Sequence, residues 1–188
     1  MTAASRGLAL GLLLVASLAG GASAQAPPCA TGSGTLKASA IGSDVLREGS
    51  GFGAVSLGGS AADVERAWGA PAQCRQQGGG VIYTYFLTHD TEDSALLLVV
   101  SIESGRVNGI LASLLPHSGG RGPSVRTGRG VGLLASLDDV VRAHGSPPDP
   151  AARTWIYADD GVAFTPSKGL VAAIAVFPLG AVPAIFQR

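Results

Sequence analysis

The chain has 188 residues, 46% of them hydrophobic, and its 13 Lys and Arg balance 13 Asp and Glu to a net charge of zero. That length and apolar content are enough for a buried core, in one ordinary domain or in two small ones. A balanced charge argues against nucleic acid or an anionic lipid surface as partner, because both need a strong positive field.

Residues 1–24 have the layout of a secretory signal: Arg6 as the positive start, an apolar run from Leu8 to Leu18, and Ala22-Ser-Ala24 as a small-residue cleavage site. The run is shorter than the roughly 20 residues needed to span a bilayer. Cleavage between Ala24 and Gln25 removes Arg6 and leaves 12 basic against 13 acidic side chains, in the periplasm or outside the cell, with no membrane span in the mature chain. Residues 25–40, rich in Ala, Gly, Ser, Thr and Pro, are expected to form a flexible lead-in. Cys29 lies in this stretch, and Cys74 is the only other cysteine. An even pair in an oxidising compartment is expected to be bridged. The alternative, lipid attachment at Cys29, lacks its signal, because the preceding Ala-Pro-Pro has no leucine where a lipobox requires one.

The next segment, Leu57 to Pro71, recurs without a gap as Leu133 to Pro147, with eight of fifteen positions identical. The chain therefore reads as two copies of one module, residues 41–115 and 129–188, joined by a linker at 116–128. Each copy opens on a short helix. Ser60 and Ser136 are N-caps, and Asp63 and Asp139 stand three residues on, as a capping box requires. Val64, Ala67 and Trp68 give the first helix one apolar stripe, and Leu137, Val140 and Val141 give the second its own. Gly69 and Gly145 permit a positive φ at the helix end, and Pro71 and Pro147 prevent continuation.

After the first helix the hydrophobic period changes to two, predicting strands at Val81 to Leu87, Ala95 to Ile102 and Val107 to Leu115. His89, Asp90, Glu92 and Asp93 read as a polar hairpin tip. The linker region, with Arg121, Arg126 and Arg129 among glycines, reads as a solvated loop. The second helix is followed by predicted strands at Arg153 to Tyr157, Val162 to Thr165 and Leu170 to Phe177, and Lys168-Gly169 matches the turn at Ser104-Gly105. The expected fold class is α+β: two tandem repeats, each a short helix or helix pair packed on a three- to four-stranded antiparallel sheet.

A helix that begins Leu57-Gly-Gly-Ser60 and ends Asp63-Val-x-x-x-x-Gly69-x-Pro71, followed by strands and a Gly105-x-Val107-x-x-Ile110 hairpin, resembles the BamE/SmpA-type outer-membrane assembly lipoproteins. It also resembles the tandem modules of the beta-lactamase inhibitory protein. The likeness covers most of residues 53–115 and 129–177. It implies a compact helix-plus-sheet module, and for a tandem pair two sheets side by side that form one face gripping another protein. The resemblance carries no catalytic residues.

Strand alternation places Tyr83, Tyr85, Trp155 and Tyr157 on one sheet face, opposite Ile82, Phe86 and Ile156. If the latter three pack under the helices, the four aromatics line an open face with the composition of a protein-binding hot spot. If the aromatics face the helices, they are core. His89, His117 and His144 lack the spacing of a metal site, and no Gly-x-Ser-x-Gly elbow follows a strand. Neither metal, cofactor nor catalytic group is expected. The functional expectation is an exported non-enzymatic module that binds another envelope or extracellular protein through a sheet face around Tyr83, Tyr85, Trp155 and Tyr157. Two alternatives stand beside it: an envelope-associated accessory protein in outer-membrane assembly, and an enzyme using an unpaired Cys74 beside a histidine.

Overall fold

The computed structural model describes residues 30–89, 95–115 and 124–183. The signal segment, Cys29, residues 90–93, His117 and Arg121 lie outside the described residues.

The first described elements already depart from the expected flexible lead-in. Thr35–Lys37 form strand β1 and Ala38–Ile41 a one-turn helix α1. β1 runs parallel to the later strand β6 (Gly80–Thr88), with Thr35 opposite Phe86. Phe86 donates its amide to the Gly34 carbonyl, and Leu36 is buried in the core. The buried Leu36, a row of sheet hydrogen bonds and the Gly32 amide bonded to the Pro71 carbonyl order a stretch whose composition alone predicts mobility.

Four short strands then make a small second sheet: β2 (Val45–Arg47), β3 (Gly51–Phe52), β4 (Val55–Ser56) and, from far along the chain, β9 (Arg126–Thr127). β9 falls inside the expected linker, so the described end of that segment is not a free loop: it lies parallel to β2, with Leu46 opposite Thr127. Leu46, Phe52 and Val55 are buried, so this sheet is part of the core wall.

Helix α2 (Ala61–Trp68) and helix α3 (Leu137–His144) occupy the two predicted positions. Both carry a complete capping box. The Ser60 and Ser136 hydroxyls accept from the Asp63 and Asp139 amides, while each aspartate accepts from the serine's own backbone N–H. Both helices end at a glycine of positive φ, +75° at Gly69 and +85° at Gly145.

The main sheet combines β5 (Gln73–Gln77), β6, β7 (Ala95–Glu103) and β8 (Arg106–Leu114) with β10 (Trp155–Tyr157), β11 (Val162–Ser167) and β12 (Leu170–Val176). Its order is β1-β6-β7-β8-β12-β11-β10, and β5 also pairs with β6. The separate three- to four-stranded sheets expected of two units are thus one eight-stranded sheet. The join is antiparallel, β8 against β12, with Leu111 opposite Ala175 at its centre and Ile110 and Ala112 opposite Val176 and Ile174. Merging at this seam removes two open strand edges that separate sheets would expose.

Cross-strand partners share a face, so the register defines the layers. One row crosses six strands as Tyr83, Val100, Ile110, Val176, Val162 and Tyr157; the next runs Tyr85, Leu98, Ala112, Ile174, Phe164 and Trp155. All twelve are buried. α2, α3 and the small sheet cover this face, with Trp68 edge-on to both Phe52 and Tyr85.

Candidate functional site

The four aromatics expected on an open face are core, and their hydroxyls explain why. The last carbonyls of a helix have no partner within it and need donors from outside. Tyr85 donates its hydroxyl to the Gly69 carbonyl at the end of α2, and Tyr157 donates to the Gly145 carbonyl at the end of α3, each at 3.0 Å. Tyr83 donates to the Glu65 carboxylate at 2.6 Å, and the Trp155 indole N–H points at the Pro150 carbonyl at 3.4 Å. The three tyrosines anchor the helices, Trp155 holds the loop after α3, and none of the four is available to a partner. Burial, reinforced by the Glu65 hydrogen bond and charge, pushes the Tyr83 phenol up to about 12, and burial likewise raises Tyr85 and Tyr157.

The caps are electrostatically set as well. Hydrogen bonds from the Ser60 backbone and hydroxyl, then from Arg66, hold the Asp63 carboxyl down at about 2. The Ser136 hydroxyl and Arg142 lower Asp139 in the same way.

Two of the three arginines expected in a solvated loop, Arg126 and Arg129, are in ion pairs. Arg126 pairs with Asp44 at 3.0 Å, and Arg129 grips Asp160 through both guanidinium nitrogens at 2.9 and 2.6 Å. His144 places Nδ1 2.8 Å from the same carboxylate, while its Nε2 is buried without a hydrogen-bond partner against the rings of Tyr157 and Phe164. Burial works to raise Asp160, but the His144 hydrogen bond and the Arg129 charge outweigh it and hold the carboxyl below its usual range. This network ties α3 to the turn after β10. Cys74 on β5 is disulfide-bonded, so it is not a free nucleophile. Among the described residues no group of His, Cys, Asp and Glu is placed to hold a metal ion.

With the aromatics inside, the opposite sheet face carries Ile82, Phe86 and Ile156. Its central row runs Thr84, Val99, Leu111, Ala175, Ala163 and Ile156, flanked by Phe86, Leu97, Ser113, Ala173 and Thr165. Neither row contains a charged residue. Phe86, Leu97, Val99, Leu111 and Ile156 are half-buried, and neither α2, α3 nor the small sheet lies on this side. Phe177 and Val182, from the segment after β12, pack at one end of it against Ala163 and Ala175. Sequence alternation contained these residues but not their facing; the tyrosine hydroxyls, as donors for helix ends, were the signal that decides it.

No family model matches the chain, and no curated protein does. Among solved structures, an extracellular protein containing an SCP domain from Bacillus anthracis str. Ames superposes with a TM-score of 0.40 at 10% identity, over 65% of this chain and 44% of that one. The chain thus spans under half the length of that protein, and a likeness this weak carries no argument. No described helix is long and apolar enough to cross a membrane.

Proposed function

We propose that this chain is an exported, non-catalytic protein-binding module built of two tandem units, and that it binds through the face of the shared sheet opposite α2 and α3. The observation that carries the reading is the uncharged pair of rows from Thr84 to Ile156 and from Phe86 to Thr165, where Phe86, Leu97, Val99, Leu111 and Ile156 are half-buried and Ala163, Ala173 and Ala175 buried, on the side opposite α2 and α3. Two uncharged rows at the centre of a sheet face, with Arg75 and Lys37 on its edge strands, have the composition of an interface core with a polar rim. The partner class that fits is another envelope or extracellular protein with a complementary apolar surface.

The two-unit reading is supported by matched backbone detail. Gly58 donates to the Val107 carbonyl at 2.7 Å, and Leu134 donates to the Val171 carbonyl at 2.8 Å. The return bonds, Val107 to Gly59 and Val171 to Ala135, are 2.8 and 2.9 Å. The tyrosine-to-glycine bonds at the two helix ends match equally.

Val99→Lys and Leu111→Lys, with Val99→Ser as the milder variant, test the face. The expected result is an unchanged far-UV spectrum with loss of partner capture from an envelope extract of the source organism. Retained capture in all three variants rejects the face; loss of folding in all three shows it to be covered core.

A further inference from the structure

The chain itself begins to cover the sheet face opposite α2 and α3. After β12 the Phe177 amide donates to the Gly161 carbonyl at 2.9 Å and the Gly180 amide to the Ala158 carbonyl at 2.8 Å, which ties this segment to the turn after β10. The Ala181 amide then returns to the Pro178 carbonyl at 3.0 Å, a turn that reverses the chain. Its far side is held by the small sheet, where Leu179 lies so close over Gly49 that a Cβ there would stand 2.8 Å from Leu179 Cδ2. The reversal brings Val182 back onto the central row, packed against the cluster of Phe177, Ala163 and Ala175.

Cover and burial go together along that row. Ala163 and Ala175, next to Val182 and Phe177, are buried, whereas Leu111, Val99, Leu97 and Phe86, toward β6, keep part of their surface. Beyond Pro183 the sequence continues Ala184-Ile185-Phe186-Gln187-Arg188, with two large apolar side chains and no acidic one. Pro183 favours extended backbone at Val182. In an extended run alternate residues share a side, so Phe186 faces as Val182 does and Ile185 faces away. Four extended residues span roughly 13 Å, and with strands about 4.8 Å apart this carries Phe186 from β12 past Leu111 on β8 to Val99 on β7.

We infer that residues 184–188 continue this cover across the row as an intramolecular strap, with Phe186 seated on Leu111 and Val99, and that the strap must be displaced before a partner binds. The first half concerns the chain alone; the second rests on the reading of this face as the partner site. A second copy of the chain is the weaker occupant. Val182 already holds the segment at the end of the row, and so short a tether gives an effective concentration on the order of millimolar. A cover carried by the chain also removes the association hazard of an open apolar face.

The test is isotope-edited NMR of the mature protein, with 8-anilinonaphthalene-1-sulfonate as the probe of uncovered apolar surface. The expected result is nuclear Overhauser contacts from the Phe186 ring to the Leu111 and Val99 methyl groups, unchanged on tenfold dilution and absent between differently labelled copies. Phe186→Ser is expected to remove the contacts and raise dye fluorescence at least threefold. Ile185→Ser, on the outer side, should leave both unchanged, and Phe186→Ser/Val99→Asp should return the dye to its wild-type level. Absence of the Phe186 contacts, contacts between copies, equal effects of the two serine variants, or a dye response that survives Val99→Asp overturns the strap. For its regulatory half, Phe186→Ser is expected to strengthen at least threefold a partner capture that Val99→Lys abolishes. Overhauser contacts in a protein whose capture is indifferent to both changes keep the strap and reject the face as the partner site, so the two readings fail separately.

Discussion

The Tyr157 hydroxyl and the Gly145 carbonyl oxygen lie 3.0 Å apart, one from the sheet and one from the end of α3. Tyr85 and Gly69 repeat the relationship at α2. Each bond joins a strand to a helix terminus whose carbonyl has no helical partner, so it fixes the helix on the sheet as well as satisfying a polar group. Tyr85→Phe and Tyr157→Phe keep the ring packing and remove only the donor. Each is expected to destabilise by about 0.5–1.5 kcal/mol, the net contribution of one hydrogen bond to a carbonyl that water can reach. Urea denaturation with an unchanged slope and a lower midpoint is the expected result; unchanged midpoints would show that water replaces the hydroxyl.

A related contrast separates the two halves at the neighbouring position. Tyr83 meets Glu65 across α2, while Trp155 and Val141 occupy the matching positions at α3. A polar pair in one half stands where an apolar pair stands in the other, and a mixture of the two leaves an orphan. Glu65→Val alone strands the Tyr83 hydroxyl, and Tyr83→Trp alone strands the carboxylate. The double variant Glu65→Val/Tyr83→Trp is therefore expected to be more stable than the sum of its singles predicts, by about 1 kcal/mol. Additivity in that cycle would mean that the pair contributes nothing beyond its separate side chains.

The same tyrosine gives a prediction at high pH. Its folded value of about 12 lies above the ordinary 10, so the unfolded chain loses the proton first. Its contribution to stability is intact below pH 10 and is lost as the pH rises from 10 toward 12. Phenolate absorbance should show one group titrating near 12 that moves down in Glu65→Gln. A Tyr83 that ionises at its ordinary value would contradict both its burial and its carboxylate bond.

At the acid end the capping aspartates contribute alongside Asp160, which is lowered as well. Asp63 is held at about 2 against an ordinary 3.8, and Asp139 is lowered in the same direction. A depressed carboxyl stabilises the fold above its unfolded value, and that contribution falls away as the pH drops from about 4 toward 2. Ser60→Ala and Ser136→Ala, each costing about 1 kcal/mol as N-cap losses, should also shallow the acid limb of the stability curve. An acid limb that is identical in the wild type and the two variants would assign acid sensitivity to other carboxylates.

Helices, caps and terminators were legible in the sequence because each is written within about four residues: Ser60 needs only Asp63, and Gly69 only the turn before it. The facing of the sheet was not. Alternation states that Tyr83 and Phe86 lie on opposite sides, but is silent on which side receives the helices, since both sides are apolar. The continuity of the sheet across Leu111 and Ala175 was equally hidden, because each half could close its own. Pairing of the arginines depended on contacts between residues far apart, as with Arg126 and Asp44, 82 residues away. Local grammar identifies elements, whereas edges, faces and ion pairs are settled only when distant segments compete for the same carbonyls and carboxylates.

The Arg129, Asp160 and His144 network is where that non-local competition is most concentrated. One carboxylate, 22% exposed, accepts from both guanidinium nitrogens and from the imidazole. Arg129 also reaches the Ala143 carbonyl at 3.0 Å, so the loop after β9, the end of α3 and the turn after β10 converge on it. Asp160→Asn keeps the shape but halves the acceptor oxygens and removes the charge, leaving His144 buried with both ring nitrogens poorly satisfied. A loss of about 2 kcal/mol is expected, within the range for hydrogen bonds to charged groups. Arg129→Met should cost a similar amount. Because both act on one network, the double variant Asp160→Asn/Arg129→Met should lose clearly less than the sum of the singles. Strict additivity would show that the two residues stabilise the fold independently, and that the carboxylate serves His144 alone.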